Sequence, residues 1–122
     1  MHNPYVQIAN RRTVDLLKPD LTDIPLESIA FALAHINRFT GHAGEYSVAE
    51  HSVAVARILY DRGYSRDVQR GGLLHDAHEA LIGDVSTPVK WALERLGGRE
   101  AFDRLDEIHK GEIERRFRVN VE

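Results

Sequence analysis

Two neighbouring apolar stretches with helical spacing constrain the fold of this chain most strongly. The first begins at Ser47, which forms a capping-box sequence with Glu50 three residues later, and it continues to Gly63. This stretch is apolar nearly all round, which predicts a central helix rather than a superficial one. The second begins at Ser65, a typical N-cap residue, and ends at Gly83, a typical residue after a helix C-terminus. Together the two stretches predict a helical core.

The flanking segments predict an all-α bundle with a small N-terminal β-hairpin. Alternating polar and apolar residues predict two strands, and a turn is predicted between them; these segments are Tyr5–Ile8, Thr13–Leu17 and the turn Asn10–Arg12. Apolar spacing also predicts helices over residues 26–39, 89–96 and 100–117. The middle one of these has Thr87 as its predicted N-cap and Pro88 as its first residue.

Length and composition restrict the class of protein. The 122 residues are typical of one domain, with residues 1–20 as the hairpin and residues 26–117 as the helical core. The net charge is −3, from 16 basic and 19 acidic residues, which argues against a surface for a nucleic-acid polymer. No apolar run approaches the roughly 20 residues of a membrane span, so no membrane association is expected. The absence of cysteine fits a reducing cytoplasm and leaves nitrogen and oxygen as the site ligands.

The sharpest local feature is the pair His75-Asp76 inside an apolar helical stretch. An imidazole and a carboxylate buried side by side are costly unless they bind something, and a divalent cation would offset that cost. His51 lies in the first turn of the preceding helix, and two antiparallel helices can bring it to the same point. The ordinary alternatives are a solvent-facing His-Asp pair and a hydrogen-bonded core histidine.

Three further charged residues are candidates for catalysis or binding around that pair. Glu79 lies one helical turn beyond His75, on the same side, where it is placed to act as a general base or to hold an attacking water. Asp84 follows the helix end, and Arg38 at the end of the first helix is a candidate phosphate-binding residue. Their ordinary alternatives are a solvated helix charge, a turn residue and a cation at a helix C-terminus.

The order of His51, His75 and Asp76 resembles the H…HD signature of the HD-domain phosphohydrolases. The resemblance covers residues from about 5 to 117 and is carried by four blocks, Ile36–Phe39, Tyr46–Ser52, Leu73–Ala80 and Gly83–Lys90. These blocks are similar to those of bacterial 5′-deoxynucleotidases and of small bacteriophage HD hydrolases, among them dATP triphosphohydrolases. The resemblance therefore implies an HD-domain helical bundle.

The resemblance implies a divalent metal ion held by His51, His75 and Asp76, with Mn, Co, Zn or Mg as candidates. HD-domain proteins have a fourth ligand, an aspartate on a later helix, and the resemblance implies that this helix lies beyond the C-terminal residue of the chain. Asp103 and Asp106 in the last predicted helix are either substitutes for that ligand or ordinary helix charges. The expected site is accordingly three-liganded, completed by another subunit, or truncated.

The resemblance also implies roles on the substrate side of the site. Glu79 corresponds to the residue that activates or orients the attacking water, and Asp84 to a catalytic acidic residue at the phosphate end of the pocket. Arg38 corresponds to the arginine that contacts phosphate, with Thr87 and Lys90 in a matching block near the pocket. The implied reaction is attack of water on phosphorus, either in a dNMP, giving nucleoside and phosphate, or in a dNTP, giving nucleoside and triphosphate.

Two alternatives to a phosphohydrolase stay open. A truncated, inactive HD-fold module would bind a nucleotide or a partner without turnover, and a purely structural helical domain would bind no metal. The resemblance further implies a cytoplasmic protein, bacterial or phage-encoded, with a nucleotide as its substrate. A short chain with an apolar final helix is also compatible with a homo-oligomer.

Overall fold

The computed structural model describes residues 2–9 and 11–121. The strands are β1 (Tyr5–Gln7) and β2 (Thr13–Asp15), and the α-helices are α1 (Leu26–Ala34), α2 (Val48–Asp61), α3 (Arg66–Leu74), α4 (Glu79–Ile82), α5 (Thr87–Arg95) and α6 (Arg99–Phe117), with a short 3₁₀ helix at Phe39–Gly41. The chain is therefore mostly helical with a small antiparallel hairpin, as the sequence predicts. In the described ranges, no helix has both the length and the apolar character that crossing a membrane requires.

The hairpin is connected to α6 by a buried histidine. β1 and β2 pair antiparallel with Val6 opposite the buried Val14, while Asn10 of the predicted turn lies outside the described residues. His109 of α6 is 1% exposed, and its Nε2 lies 2.8 Å from the backbone oxygen of Leu16. This histidine is therefore buried with a hydrogen-bond partner, and that bond connects α6 to the end of the hairpin.

The first helix ends earlier than its apolar spacing predicts. α1 stops at Ala34, and Arg38 lies in an extended segment that pairs with the residues before α2. The backbone N–H of Arg38 donates to the oxygen of Tyr46 at 2.8 Å, and the N–H of Val48 donates to the oxygen of Ile36 at 2.8 Å. The prediction of a helix up to residue 39 is wrong because these pairings satisfy the backbone groups that another helical turn would have used.

The second helical stretch is broken where the sequence predicts continuity. α3 is capped by Ser65 and ends at Leu74, after which residues 75–78 form tight turns before α4. The N–H of Ala77 donates to Leu74 and the N–H of Glu79 to Asp76, each at 3.0 Å and each over three residues instead of four. The His-Asp pair therefore lies in a helix break.

The N-cap of α5 lies one residue earlier than predicted. Ser86, with extended backbone angles, is the N-cap, and Thr87 is the first residue of the helix. Pro88 still lies in the first helical turn, where a missing N–H costs nothing. Thr87 is thus exposed at the N-terminus of α5 rather than ahead of it.

α2 is buried on one side only. Its predicted capping box is present, with the N–H of Glu50 donating to Ser47 Oγ at 3.1 Å. The inner side carries Val48 and Ser52, which are 0% and 3% exposed, whereas Val53 on the outer side is 50% exposed. The prediction that this helix is central rather than superficial is therefore wrong, because α1 and α3 pack against α2 and leave its outer side uncovered.

Candidate metal centre

Three ligand-type side chains converge where the break after α3 meets the first turn of α2. Asp76 Oδ2 lies 3.1 Å from His75 Nε2 and 3.6 Å from His51 Nε2. All three offer a ligand atom within 4.8 Å of the others, and each is partly buried. The predicted set of His51, His75 and Asp76 is thus brought together by the fold, while its role as a metal site stays a prediction.

The orientation of His75 suits a cation. Its Nδ1 lies 2.6 Å from the backbone oxygen of Gly72, an acceptor only, so Nδ1 carries the hydrogen and donates it. In the neutral ring Nε2 then presents a lone pair to the Asp76 carboxylate, and two acceptors at 3.1 Å require a proton or a cation between them. Ligands at about 2.0–2.2 Å from one ion lie about 3–3.6 Å apart, and both distances to Asp76 Oδ2 fall in that range.

The pKa shifts of His51, His75 and Asp76 have different physical causes. A hydrogen bond with Asp76 raises the pKa of His75, whereas burial and the neighbouring Arg38 lower the pKa of His51. Burial acts to raise the pKa of Asp76, but the hydrogen bond and the positive field of His75 outweigh it and lower that pKa. At neutral pH the group therefore contains an ionised carboxylate and a neutral His51, which are the forms that ligate metals.

A polar cavity of about 260 Å³ opens beside this group. Its lining includes every residue that the sequence assigns to catalysis or substrate binding, together with one proposed ligand: Arg38, Asp76, Glu79, Asp84, Thr87 and Lys90. These residues come from the segment after α1, the helix break, α4, the loop after it and the start of α5. The fold thus places the predicted substrate side directly against the predicted metal side.

Arg38 is held by two aromatic rings that the sequence did not single out. Its guanidinium carbon lies 4.9 Å from the Phe39 ring centroid and 5.4 Å from the Tyr46 ring centroid, both within cation–π range. Tyr46 also meets His51 edge-on, with ring centroids 6.4 Å apart. The sequence does show an aromatic residue beside Arg38 and another just before the capping box. Their approach to Arg38 could not be predicted, because it depends on the extended pairing of residues 36–38.

Glu79 is a buried residue of the cavity lining with like charges beside it. Its side chain is on the first turn of α4, and only 8% of the residue is exposed. Burial, followed by the negative charges of Asp76 and Asp84, raises its pKa to about 9, and Lys90 opposes this shift. With this raised pKa, Glu79 holds its proton at neutral pH, next to the Asp84 side chain.

A second polar network ties the helix break to α6. The buried His78 places Nε2 3.0 Å from Asp106 Oδ1, and Lys110 Nζ lies 3.0 Å from Asp106 Oδ2. Asp103 pairs with Arg99 at 3.0 Å on the surface. Of the two aspartates left open as substitute ligands, Asp103 is thus an ordinary helix charge and Asp106 supports the break.

Asp106→Ala is expected to lower the free energy of unfolding by about 1–3 kcal/mol. Burial lowers the pKa of His78, so this ring is neutral and donates through Nε2, and the variant leaves that buried donor without its acceptor. Urea denaturation measures the change. Asp103→Ala on the same helix is the matched control and is expected to stay within about 0.5 kcal/mol of wild type. Equal losses in the two variants would contradict the supporting role of Asp106.

The chain is similar to proteins for which no activity is stated. The chain is 39% identical over 110 residues to an uncharacterized protein of Rhodobacter capsulatus, and the match covers 86% of this chain and 56% of that protein. It is 36% identical over 69 residues to the uncharacterized protein YfdR of Escherichia coli, a match covering 56% of this chain and 36% of YfdR. The chain thus spans about half the length, or less, of these curated relatives. No protein-family model matches it.

Proposed function

We propose that this chain is an HD-domain, metal-dependent phosphohydrolase that acts on (deoxy)nucleotides. One observation carries the proposal: the ligand-type atoms of His51, His75 and Asp76 converge beside a cavity lined by Arg38 and Lys90. Two neutral or partly protonated imidazoles and a carboxylate suit a divalent ion, and two cations beside them suit a phosphate group. Neither half of this arrangement alone would favour phosphate chemistry.

In this proposal, different residues hold the metal ion and bind the substrate phosphate. A bound divalent ion supplies polarisation of a phosphoryl oxygen and a coordinated water whose pKa falls towards about 7. Arg38 neutralises charge on the substrate phosphate, and its stacking on Phe39 and Tyr46 reduces the freedom it loses on binding. Lys90 adds a second positive charge to the lining of the same cavity.

The carboxyl pair Glu79 and Asp84 is placed to move protons. Glu79 lies one turn after Asp76 and lines the same cavity as Asp84, so the two neighbouring carboxyl groups offer a proton two positions. In the reaction, the pair accepts the proton of the attacking water and returns one to the oxygen that leaves phosphorus. Thr87, exposed at the N-terminus of α5, adds a hydroxyl at the rim of the cavity for the rest of the substrate.

The direct test is product release from a nucleotide panel by the purified chain with Mn²⁺ or Co²⁺, with an EDTA-treated sample as control. We expect phosphate from dNMPs or triphosphate from dNTPs, in either case lost with EDTA. The two products distinguish the two substrate classes. No turnover with any metal, in a preparation shown to bind Co²⁺, would rule out the enzyme.

A nucleotide-binding module without turnover is the second candidate. The observation that favours it is the size of the ligand group, because three ligand-type residues converge in the described part of the chain and the resembled family uses four. Such a module would bind a dNMP in a calorimetric titration while releasing no phosphate.

A further inference from the structure

The single tryptophan of the chain lies on α5 and is exposed. Trp91 is 58% exposed, whereas tryptophan is highly buried on average because of its large apolar surface. Within residues 2–9 and 11–121, no aromatic ring stacks on its indole and no guanidinium or ammonium group lies over it. Phe39 and Tyr46, by contrast, both meet the Arg38 guanidinium. The indole of Trp91 is therefore available to stack on a ligand.

Trp91 lies on the side of α5 that faces the polar cavity. Three residues at the start of this helix line the cavity, namely Thr87, Pro88 and Lys90. At about 100° per residue, Pro88 projects about 100° to one side of Thr87 and Lys90 about 60° to the other. Trp91 projects about 40° from Thr87, on the side of Pro88. It thus lies inside the arc of side chains that line the cavity, one turn further along the helix.

The direction of helical side chains brings the indole back to the rim of the cavity. Side chains of a helix lean toward its N-terminus, so a long side chain covers the surface of the preceding turn. For Trp91 that surface is formed by Thr87 and Pro88, which are both exposed and both part of the cavity lining. The backbone geometry of α5 therefore places an aromatic ring at the mouth of the cavity.

The cavity is too small to enclose a whole nucleotide. Its volume is about 260 Å³, whereas pockets that bury a drug-sized ligand hold about 300–1,000 Å³. In the proposed function Arg38 and Lys90 bind the phosphate end inside the cavity, so the nucleobase at the other end extends past the rim. A base in that position meets Trp91, and every nucleobase has a flat π-face on which an aromatic side chain can stack.

We propose that Trp91 is the stacking residue for the nucleobase of the substrate, so that the site selects nucleotides over phosphate esters without a base. This inference rests on the proposed function, because it takes the cavity with Arg38 and Lys90 as the phosphate site. It adds a contact to the base, which none of the residues assigned to metal, phosphate or proton transfer supplies.

Because Trp91 is the single tryptophan, its fluorescence reports stacking directly. The purified chain is titrated with dAMP and with dATP, in EDTA and again in Mg²⁺, with excitation at the red edge of tryptophan absorption, where the base does not absorb. At least one of the two nucleotides is expected to quench the fluorescence to saturation. The matching ligands without a base are 2-deoxyribose 5-phosphate and inorganic triphosphate. They are expected to reverse that quenching by competition and to cause none themselves.

Variants separate the contact to the base from the fold. Trp91→Ala is expected to weaken nucleotide binding at least about fivefold in calorimetric titration, with the two ligands that lack a base unaffected. Trp91→Phe keeps an aromatic face and is expected to recover most of the loss. Tyr60→Ala is the matched control, because it removes an exposed aromatic side chain of α2 that is outside the cavity lining, and it is expected to bind as wild type. Circular dichroism checks that all variants remain helical.

The outcomes distinguish this inference from the proposed function. Nucleotide binding or turnover without quenching, or wild-type nucleotide affinity in Trp91→Ala, would overturn the stacking role and leave the phosphohydrolase in place. Binding of none of the four ligands would overturn both. Quenching by nucleotides without turnover in any metal would support the stacking role and favour the nucleotide-binding module.

Discussion

Asp76→Asn is expected to abolish metal binding and nucleotide hydrolysis together. Asp76 Oδ2 is the atom that both histidines approach, at 3.1 Å for His75 and 3.6 Å for His51, so it is the shared centre of the group. Asparagine keeps the shape but offers a neutral amide oxygen in place of a carboxylate. Loss of a residue that only supports a ligand costs about 10–100-fold in metal affinity, so loss of the central ligand should cost more than about 100-fold.

Two measurements and one control make this test specific. Titration with Co²⁺ followed by visible absorption gives affinity without reference to activity, and product release gives kcat/KM. Asp103→Asn is the matched control, because Asp103 pairs with Arg99 on the surface of α6 and is expected to leave both quantities unchanged. Wild-type Co²⁺ affinity in Asp76→Asn would exclude the assigned site, whereas equal losses in both variants would reveal an ordinary stability effect.

The parts of the fold that local signals determine were predictable from the sequence. The Ser47–Glu50 capping box and the Ser65 cap are both present, since they depend on residues three positions apart. The helix ends and breaks were not predictable, because distant partners determine them. α1 ends where residues 36–38 pair with the start of α2, and the helix break at residues 75–78 is held by His78 on Asp106 of α6.

The candidate site was likewise predictable where it depends on residue type and order, and not where it depends on contacts between distant elements. Residue types and order were enough to select the histidines and carboxylates, and the fold brings those side chains together. The supporting contacts were missed: the aromatic rings around Arg38, and the role of Asp106 as a partner of His78. Each joins elements far apart in sequence, so periodicity could not reveal it. The i,i+4 spacing of Asp106 and Lys110 was a usable signal, but it indicates only a local ion pair.

Glu79→Gln is expected to retain Co²⁺ binding and to lose catalysis. The glutamine is isosteric and lies outside the three-residue ligand group, so the metal affinity should stay close to wild type. Its amide can neither give up nor take up the carboxyl proton, and removal of a positioned acid or base typically costs about 10²–10⁴-fold in rate, which should appear in kcat. Wild-type kcat in this variant would exclude Glu79 as the proton-transfer residue, and loss of Co²⁺ binding would make it a ligand instead.

The same variant tests the burial of Glu79 through the pH dependence of stability. In the metal-free protein its pKa is raised from 4.5 to about 9, so the folded state holds a proton that the unfolded state releases above pH 4.5. The stability gained from this proton is fully present below about pH 4.5 and declines as the pH rises towards about 9. Glutamine has no such dependence. With EDTA present, Tm of Glu79→Gln minus Tm of wild type is therefore expected to increase steadily between pH 5 and pH 9, and parallel curves would show that Glu79 is ionised and solvated in the folded chain.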